Sequence, residues 1–205
     1  MTTRFMLVRH ASCAQTETTL LGHAIDASLS ARGFAEADAL TRRLARETPT
    51  LIFTSPLRRA QQTAAAIARH LQIDAHVCRG LDEIDFGLWA GRTFEALEND
   101  ARWREWNTHR GTARTPSGES IVQVQARIVG VLDEMSMMHA GHTIVLVTHA
   151  EIIRSALLFF LKCAAEDYRH IEIAPASLTR LRTCGTETII DAVNERPALD
   201  ECVAA

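Results

Sequence analysis

The stretch Thr143-Ile144-Val145-Leu146-Val147-Thr148-His149 decides the fold. From Thr143 to Val147 there is no apolar–polar alternation, so a strand built from it is apolar on both faces. Such a strand is a central one, covered above and below in a parallel sheet. Its end, Thr148-His149, turns polar, and an apolar helical pattern follows from about Ile152 to Leu161. The unit reads strand, polar junction, helix.

The same unit recurs toward the N-terminus. The run Arg4 to Val8 ends in Arg9-His10. A polar stretch from Ala11 to Leu29 predicts irregular backbone. Ser30 then reads as a helix N-cap, with Phe34, Ala37, Leu40 and Leu44 at helical spacing behind it. A second β run, Thr50 to Thr54, stops at Ser55-Pro56. That pair predicts a capping serine with proline at the first helical position. Leu57, Ala60, Ala64, Ile67 and Leu71 share one face of the helix it opens.

Ala75 to Cys78 is a weaker strand candidate, and Ser177 to Arg182 and Thr186 to Val193 are two more. Ser120 with Gln123 fits a capping box opening a helix that carries Ile121, Val124, Ile128, Val131 and Met135 on one face and stops near Gly141. Strands alternating with amphipathic helices predict an α/β fold. The expected form is a three-layer α/β/α domain over residues 1–205, with a mostly parallel sheet of about six strands. The segment from about 88 to 118, rich in Gly and Trp, predicts a small helical cap insertion, and 194–205 a loosely held tail.

The chain has 205 residues, 47% hydrophobic and 23% charged, with a formal net charge of −3. That balance fits an ordinary globular protein and does not suggest a strongly basic nucleic-acid binder. No apolar run approaches the roughly 18 residues that span a membrane, so the expected location is cytoplasmic. Five scattered cysteines without a Cys-x-x-Cys pair predict reduced, mostly buried thiols. His139-x-x-His142 reads as a helix-end turn rather than a metal pair, because Gly141 interrupts it.

The three strand-to-helix junctions share a chemical character. They end in Arg9-His10, in Ser55 to Arg59, and in Thr148-His149. Ligands of open α/β sheets bind at the carboxyl ends of the strands. If these strands are parallel neighbours, arginines and histidines converge on one point beside helix N-termini, where phosphate is favoured.

The residues that make up these junctions resemble the histidine phosphatase superfamily, also called phosphoglycerate-mutase-like. The resemblance covers Leu7-Val8-Arg9-His10-Ala11, Asp26 to Gly33, Ser55-Pro56-Leu57-Arg58-Arg59-Ala60 through Thr63, Leu81 to Gly91, Pro116 to Ser120, and Val147 to Arg154, six blocks in family order. It implies a metal-independent phosphomonoesterase that hydrolyses a small phosphorylated metabolite through a phosphohistidine. His10 matches the nucleophile, Arg9 and Arg59 the phosphate-binding arginines, His149 the second histidine and Glu83 the general acid. Ala150 and Thr16 fall at phosphate or substrate contacts. No cofactor or metal is implied, and no nucleic-acid or membrane partner; a homodimer is compatible with it. Phosphoglycerate-mutase-type transfer, a phosphohistidine or phosphoprotein phosphatase, and a catalytically silent phospho-ligand sensor are the alternatives.

The implied chemistry sets opposite demands on two groups. His10 must be neutral to attack, and repulsion from Arg9 and Arg59 is expected to keep it so. Glu83 must hold a proton, which burial or bound phosphate would favour. The family's glycines after the two histidines are Ala11 and Ala150 here, which predicts some loop adjustment. Ala90 replaces the family's glutamate. Cys13 and Thr16 replace its Ser/Thr and Asn, and Cys13 near the pocket is expected to be oxidation-sensitive. The charges of Arg92, Arg102, Arg104, Arg110 and Arg114 nearly cancel against Glu95, Glu98, Asp100 and Glu105, so this segment singles out no highly anionic substrate. Trp103 and Trp106 are expected to pack against the core.

Overall fold

A computed structural model describes residues 1–14 and 18–198. One sheet has the order β3-β2-β4-β1-β5-β6, where β1 is Thr2–Arg9, β2 Leu51–Thr54, β3 Ala75–Val77, β4 Thr143–Thr148, β5 Leu178–Cys184 and β6 Glu187–Glu195. β3, β2, β4 and β1 run parallel; β5 and β6 are antiparallel additions on the far edge. β4 is buried at every position and lies between β1 and β2, as its unbroken apolar run requires.

The two-residue period of the strands divides the core between the faces of the sheet. Phe5, Leu7, Ile144 and Leu146 point to one face, under α5 (Ile121–Met138) and α6 (Ala150–Leu161). Met6, Val8, Val145, Val147 and Ile52 point to the other, under α1 (Ala31–Ala45) and α2 (Arg58–Leu71). These are the three layers. Two short helices, α3 (Phe94–Glu98) and α4 (Ala101–Thr108), stand in the segment between β3 and α5. Thr19 pairs with Thr93 and so ties this segment to the loop after β1.

Several local readings hold and some are corrected. Ser30 caps α1 by accepting from Gly33 N, and Ser120 with Gln123 forms the capping box of α5. Phe34 faces solvent instead of the core; Gly33 takes the inward place on that turn, where a Cβ would stand 2.1 Å from Ser12 O. Ser55 and Pro56 do not begin α2. Its cap residue is Leu57, and the Arg58 N–H is satisfied by Asp26 Oδ1 at 2.7 Å.

β6 continues to Glu195, so the tail is not loose from Asn194 as expected. Asn194 adopts φ 57°, its Oδ1 accepts from Ala174 N at 2.7 Å, and Arg196 pairs with Glu172. The remainder of that tail, from 199 on, lies outside the described residues. Of the described cysteines only Cys13 is fully buried, whereas Cys163, just past α6, and Cys184, at the β5–β6 turn, are exposed. His139 caps the end of α5, and His142 Nδ1 lies 2.9 Å from Thr50 Oγ1. Among the described residues no helix is long and apolar enough to cross a membrane.

Candidate active site

The register of the sheet brings the three junctions level. Arg9 pairs with Thr148, and Thr54 with Val147 one step back. A cavity of about 310 Å³ opens at this edge, with Arg9, His10, Arg59 and Glu83 among its lining residues. The expected convergence of arginines and histidines is therefore present, and it follows from β4 sitting between β1 and β2.

His10 is held in place from both sides of its backbone. Its N–H donates to Thr148 O at 2.9 Å, and the next N–H, of Ala11, donates to Thr63 Oγ1 at 3.1 Å. In the ring, Nδ1 lies 2.8 Å from Ala11 O. A carbonyl oxygen only accepts, so Nδ1 carries the hydrogen and the neutral ring keeps its lone pair on Nε2. The His10 and His149 ring centroids are 5.1 Å apart. Both rings are buried and held well below the ordinary imidazole range. For His10 burial is the largest cause, with Arg59 and then Arg9 adding to it. The expected repulsion from Arg9 and Arg59 is present, and loss of hydration adds more than either.

The two arginines are fixed by backbone carbonyls. Arg9 Nη1 donates to Ile173 O at 2.6 Å, and Arg59 donates from Nη1 to Ile25 O at 3.1 Å and from Nη2 to Gly22 O at 2.8 Å. Arg9 Nε, Arg59 Nε and His149 Nδ1 are buried with no hydrogen-bond partner among the described residues. Buried polar atoms are rarely left so unless a ligand completes them.

His149 is oriented by a residue the sequence presented as a helix cap. Its Nε2 lies 2.8 Å from Ser55 Oγ, which also accepts from Leu57 N and stands 3.3 Å from Asp82 Oδ1. His149 Nδ1 faces Glu83 Oε2 at 3.8 Å. Burial pushes the Glu83 carboxyl up to about 7; Arg59 opposes that rise and Glu151 adds to it. Glu83 Oε1 accepts from Ile84 N at 3.0 Å, which fixes the carboxyl's rotation.

The remaining expected residues sort clearly. Ala150 lines the cavity at the first turn of α6. Neither Ala11 nor Ala150 has positive φ, so the replacement of glycine there strains nothing. Thr16 lies outside the described residues. Cys13 is buried and absent from the cavity wall, and burial pushes its thiol up. That environment disfavours the thiolate, contrary to the expected oxidation sensitivity. Nothing in the structure explains Ala90. Trp106 is fully buried as expected, but Trp103 lines the cavity while packing edge-on against Trp89. Of the five arginines between 92 and 114, Arg110 alone is in the cavity wall, joined there by Glu151, Arg154, Asn107 and Tyr168. Glu151 and Arg154 lie within the matched block Val147 to Arg154 and Arg110 among the arginines already named, but no sequence feature marked these three, Asn107 or Tyr168 as cavity residues.

Comparison with known proteins agrees with this geometry. Residues 5–196 match the family model of the histidine phosphatase superfamily (branch 1). The chain is 30% identical over 154 residues to phosphoserine phosphatase 1 of Hydrogenobacter thermophilus, covering 74% of this chain and 73% of that one. It is 30% identical over 191 residues to bifunctional protein Rv2228c of Mycobacterium tuberculosis, covering 91% of this chain but only 52% of the longer relative. Among solved structures, the mycobacterial glucosyl-3-phosphoglycerate phosphatase Rv2419c complexed with VO3 superposes with a TM-score of 0.84 at 26% identity, over 94% of this chain and 98% of that one.

Proposed function

The chain belongs to the histidine phosphatase superfamily, and we propose that it hydrolyses small phosphate monoesters through a phosphohistidine on His10 without a metal ion. The observation that carries the reading is the 2.8 Å contact of His10 Nδ1 with Ala11 O, which leaves Nε2 as the nucleophilic atom.

A phosphate monoester dianion meets two fixed guanidiniums, Arg9 and Arg59, whose charges match its own. His10 Nε2 attacks phosphorus, and the bond from phosphorus to the ester oxygen breaks. Glu83, whose carboxyl burial raises to about 7 so that a large fraction holds its proton near neutral pH, gives that proton to the oxygen, and the alcohol leaves. The resulting Glu83 carboxylate then takes a proton from water as the water oxygen attacks phosphorus. The P–N bond breaks, inorganic phosphate forms, and both His10 and Glu83 return to their starting states. His149, whose Nδ1 faces Glu83 Oε2 at 3.8 Å, donates a hydrogen bond to the phosphoryl oxygens when Nδ1 takes up a proton beside the bound dianion. Every step is assigned to a side chain of this protein.

The cavity of about 310 Å³ supports a small-molecule substrate, and the net charge of −3 supports neither nucleic acid nor an anionic membrane as partner. The test is turnover of p-nitrophenyl phosphate in EDTA by wild type and His10→Ala. Turnover by wild type alone is expected, with an acid-labile phosphoenzyme trapped on rapid quench. Turnover that persists in His10→Ala, or that vanishes in EDTA and returns with a metal, overturns the scheme.

A further inference from the structure

The turn Pro116 to Ser120, one of the matched blocks, takes no part in the catalytic scheme, yet it lies against the loop that carries Glu83. From Asp82 to Phe86 that loop belongs to no helix or strand. No regular ladder of backbone bonds therefore fixes where the carboxyl stands, and the loop is held from outside.

Ahead of Glu83, three successive carbonyls are pinned. Leu81 O accepts from Thr148 Oγ1 at 2.6 Å, at the end of β4 beside His149. Gly80 O and Asp82 O both accept from Nη1 of Arg127 on α5, at 2.9 and 2.8 Å. Behind Glu83, both backbone groups of Asp85 go to Glu119. The Asp85 N–H donates to Glu119 Oε2 at 3.0 Å, and Asp85 O accepts from Glu119 N at 2.9 Å. Gly118 permits this approach, since a Cβ there would stand 2.1 Å from Asp85 O. Arg127 and Glu119 then meet as a fork, Nε to Oε1 at 3.1 Å and Nη2 to Oε2 at 2.9 Å. One planar ion pair thus grips the chain on both sides of Glu83, a task that suits a guanidinium and that an ammonium, with no such fork, could not copy.

We propose that Arg127, oriented by Glu119, is a positioning residue for the general acid: it sets the Glu83 backbone over the phosphoryl site and so places the carboxyl against the leaving-group oxygen. The inference rests on the reading of Glu83 as that acid. Two fixed points define the placement, β4 through Thr148 and α5 through Arg127. With the α5 point removed, the carboxyl that stands 3.8 Å from His149 Nδ1 loses one of its two references. A carboxyl misplaced by about an ångström leaves His10, Arg9 and Arg59 where they were, so the loss falls on leaving groups that need a proton.

The experiment compares kcat/KM for glycerol 3-phosphate, an alkyl ester, with that for p-nitrophenyl phosphate, whose leaving group needs little protonation. The proteins are wild type, Glu83→Gln, Arg127→Met and the double variant. Arg127→Met is expected to slow the alkyl ester about 10- to 100-fold and the aryl ester less than about threefold. In the Glu83→Gln background the same substitution is expected to slow the alkyl ester no further, because residues that act as a unit are not additive. A further loss of the same size in that background overturns the positioning role, as does an equal fall, or none, on both esters. If Glu83→Gln itself slows both esters equally, the acid reading fails and the positioning role falls with it; if Glu83→Gln is selective and Arg127→Met is not, the positioning role alone fails. Glu119→Gln keeps an acceptor for the Asp85 N–H but loses the ion pair. It is expected to show the same selectivity at smaller size, and its absence there overturns the proposal even if Arg127→Met does not fold.

Discussion

Ser55 Oγ lies 2.8 Å from His149 Nε2, and Asp82 Oδ1 lies 3.3 Å from the same hydroxyl. Together they settle which nitrogen of His149 carries hydrogen. The hydroxyl has one hydrogen and two lone pairs. A carboxylate only accepts, so the hydrogen goes to Asp82, and the lone pairs receive Leu57 N–H and His149 Nε2–H. The neutral ring then has its lone pair on Nδ1, opposite Glu83 Oε2. The proton of Glu83 is thus next to the one ring atom able to take it. Asp82→Ala frees the hydroxyl to turn toward Nε2 and moves the ring hydrogen to Nδ1. We expect the nitrogen-15 shifts of His149 to exchange character in this variant, with kcat/KM lowered roughly three- to tenfold, the effect of one neutral hydrogen bond. Unchanged nitrogen shifts would assign Asp82 no part in the orientation.

The histidines provide a pH test of the free enzyme. Both folded values are depressed, mainly by burial. Their contribution to stability is then complete above the unfolded value near 6.5 and is lost as pH falls through the folded values. NMR titration should show neither ring protonating near 6.5. Arg59→Met should leave His10 depressed, since burial is the larger cause; a return of His10 to about 6.5 in that variant would show that charge is.

Much of this site was legible in the sequence because its residues sit where a period changes. Arg9, His10, Arg59 and His149 follow the ends of apolar runs, and a strand end in a parallel sheet is where ligands meet the fold. What the sequence could not supply was partner choice across the fold. Ser55-Pro56 has the composition of a helix start, yet Asp26, distant in sequence, satisfies the first helical N–H, and Ser55 turns to His149. Arg110 is indistinguishable by composition from Arg92 or Arg104; its tertiary contacts with Tyr168, Glu151 and Asn107 fix it in the cavity wall. Asn194 resembles tail sequence, but its side chain completes the buried turn at Ala174.

Gly33 tests the link between α1 and the catalytic loop. A Cβ at this position would stand 2.1 Å from Ser12 O and 3.0 Å from Ser12 C, and neither backbone atom can swing aside as a flexible side chain would. Ser12 is itself tied to Glu36 of α1 through its N–H at 2.9 Å and its hydroxyl at 3.0 Å. Gly33→Ala must therefore push the helix from the loop that follows His10. We expect a loss of about 1–3 kcal/mol in urea unfolding, as for other overpacked sites, with a lowered kcat. A variant of wild-type stability and activity would mean that the loop yields freely.

Glu83 links activity and stability with opposite signs. Burial raises its folded value to about 7, against about 4.3 in an unfolded chain. As general acid it must be protonated, so kcat/KM for an alkyl phosphate should fall as pH rises through about 7. Glu83→Gln should remove that limb and slow alkyl phosphates far more than p-nitrophenyl phosphate, whose leaving group needs little protonation. For stability, the folded state holds the proton more firmly than the unfolded state between the two values. The wild type therefore loses stability as pH rises through that window, by at most roughly 4 kcal/mol. Glutamine has no charge to bury, so urea unfolding should show Glu83→Gln gaining on wild type between pH values near 5 and near 8. Parallel curves for the two proteins would place the ionised carboxylate in a better-hydrated setting than its burial implies, and would remove the basis for its role as the acid.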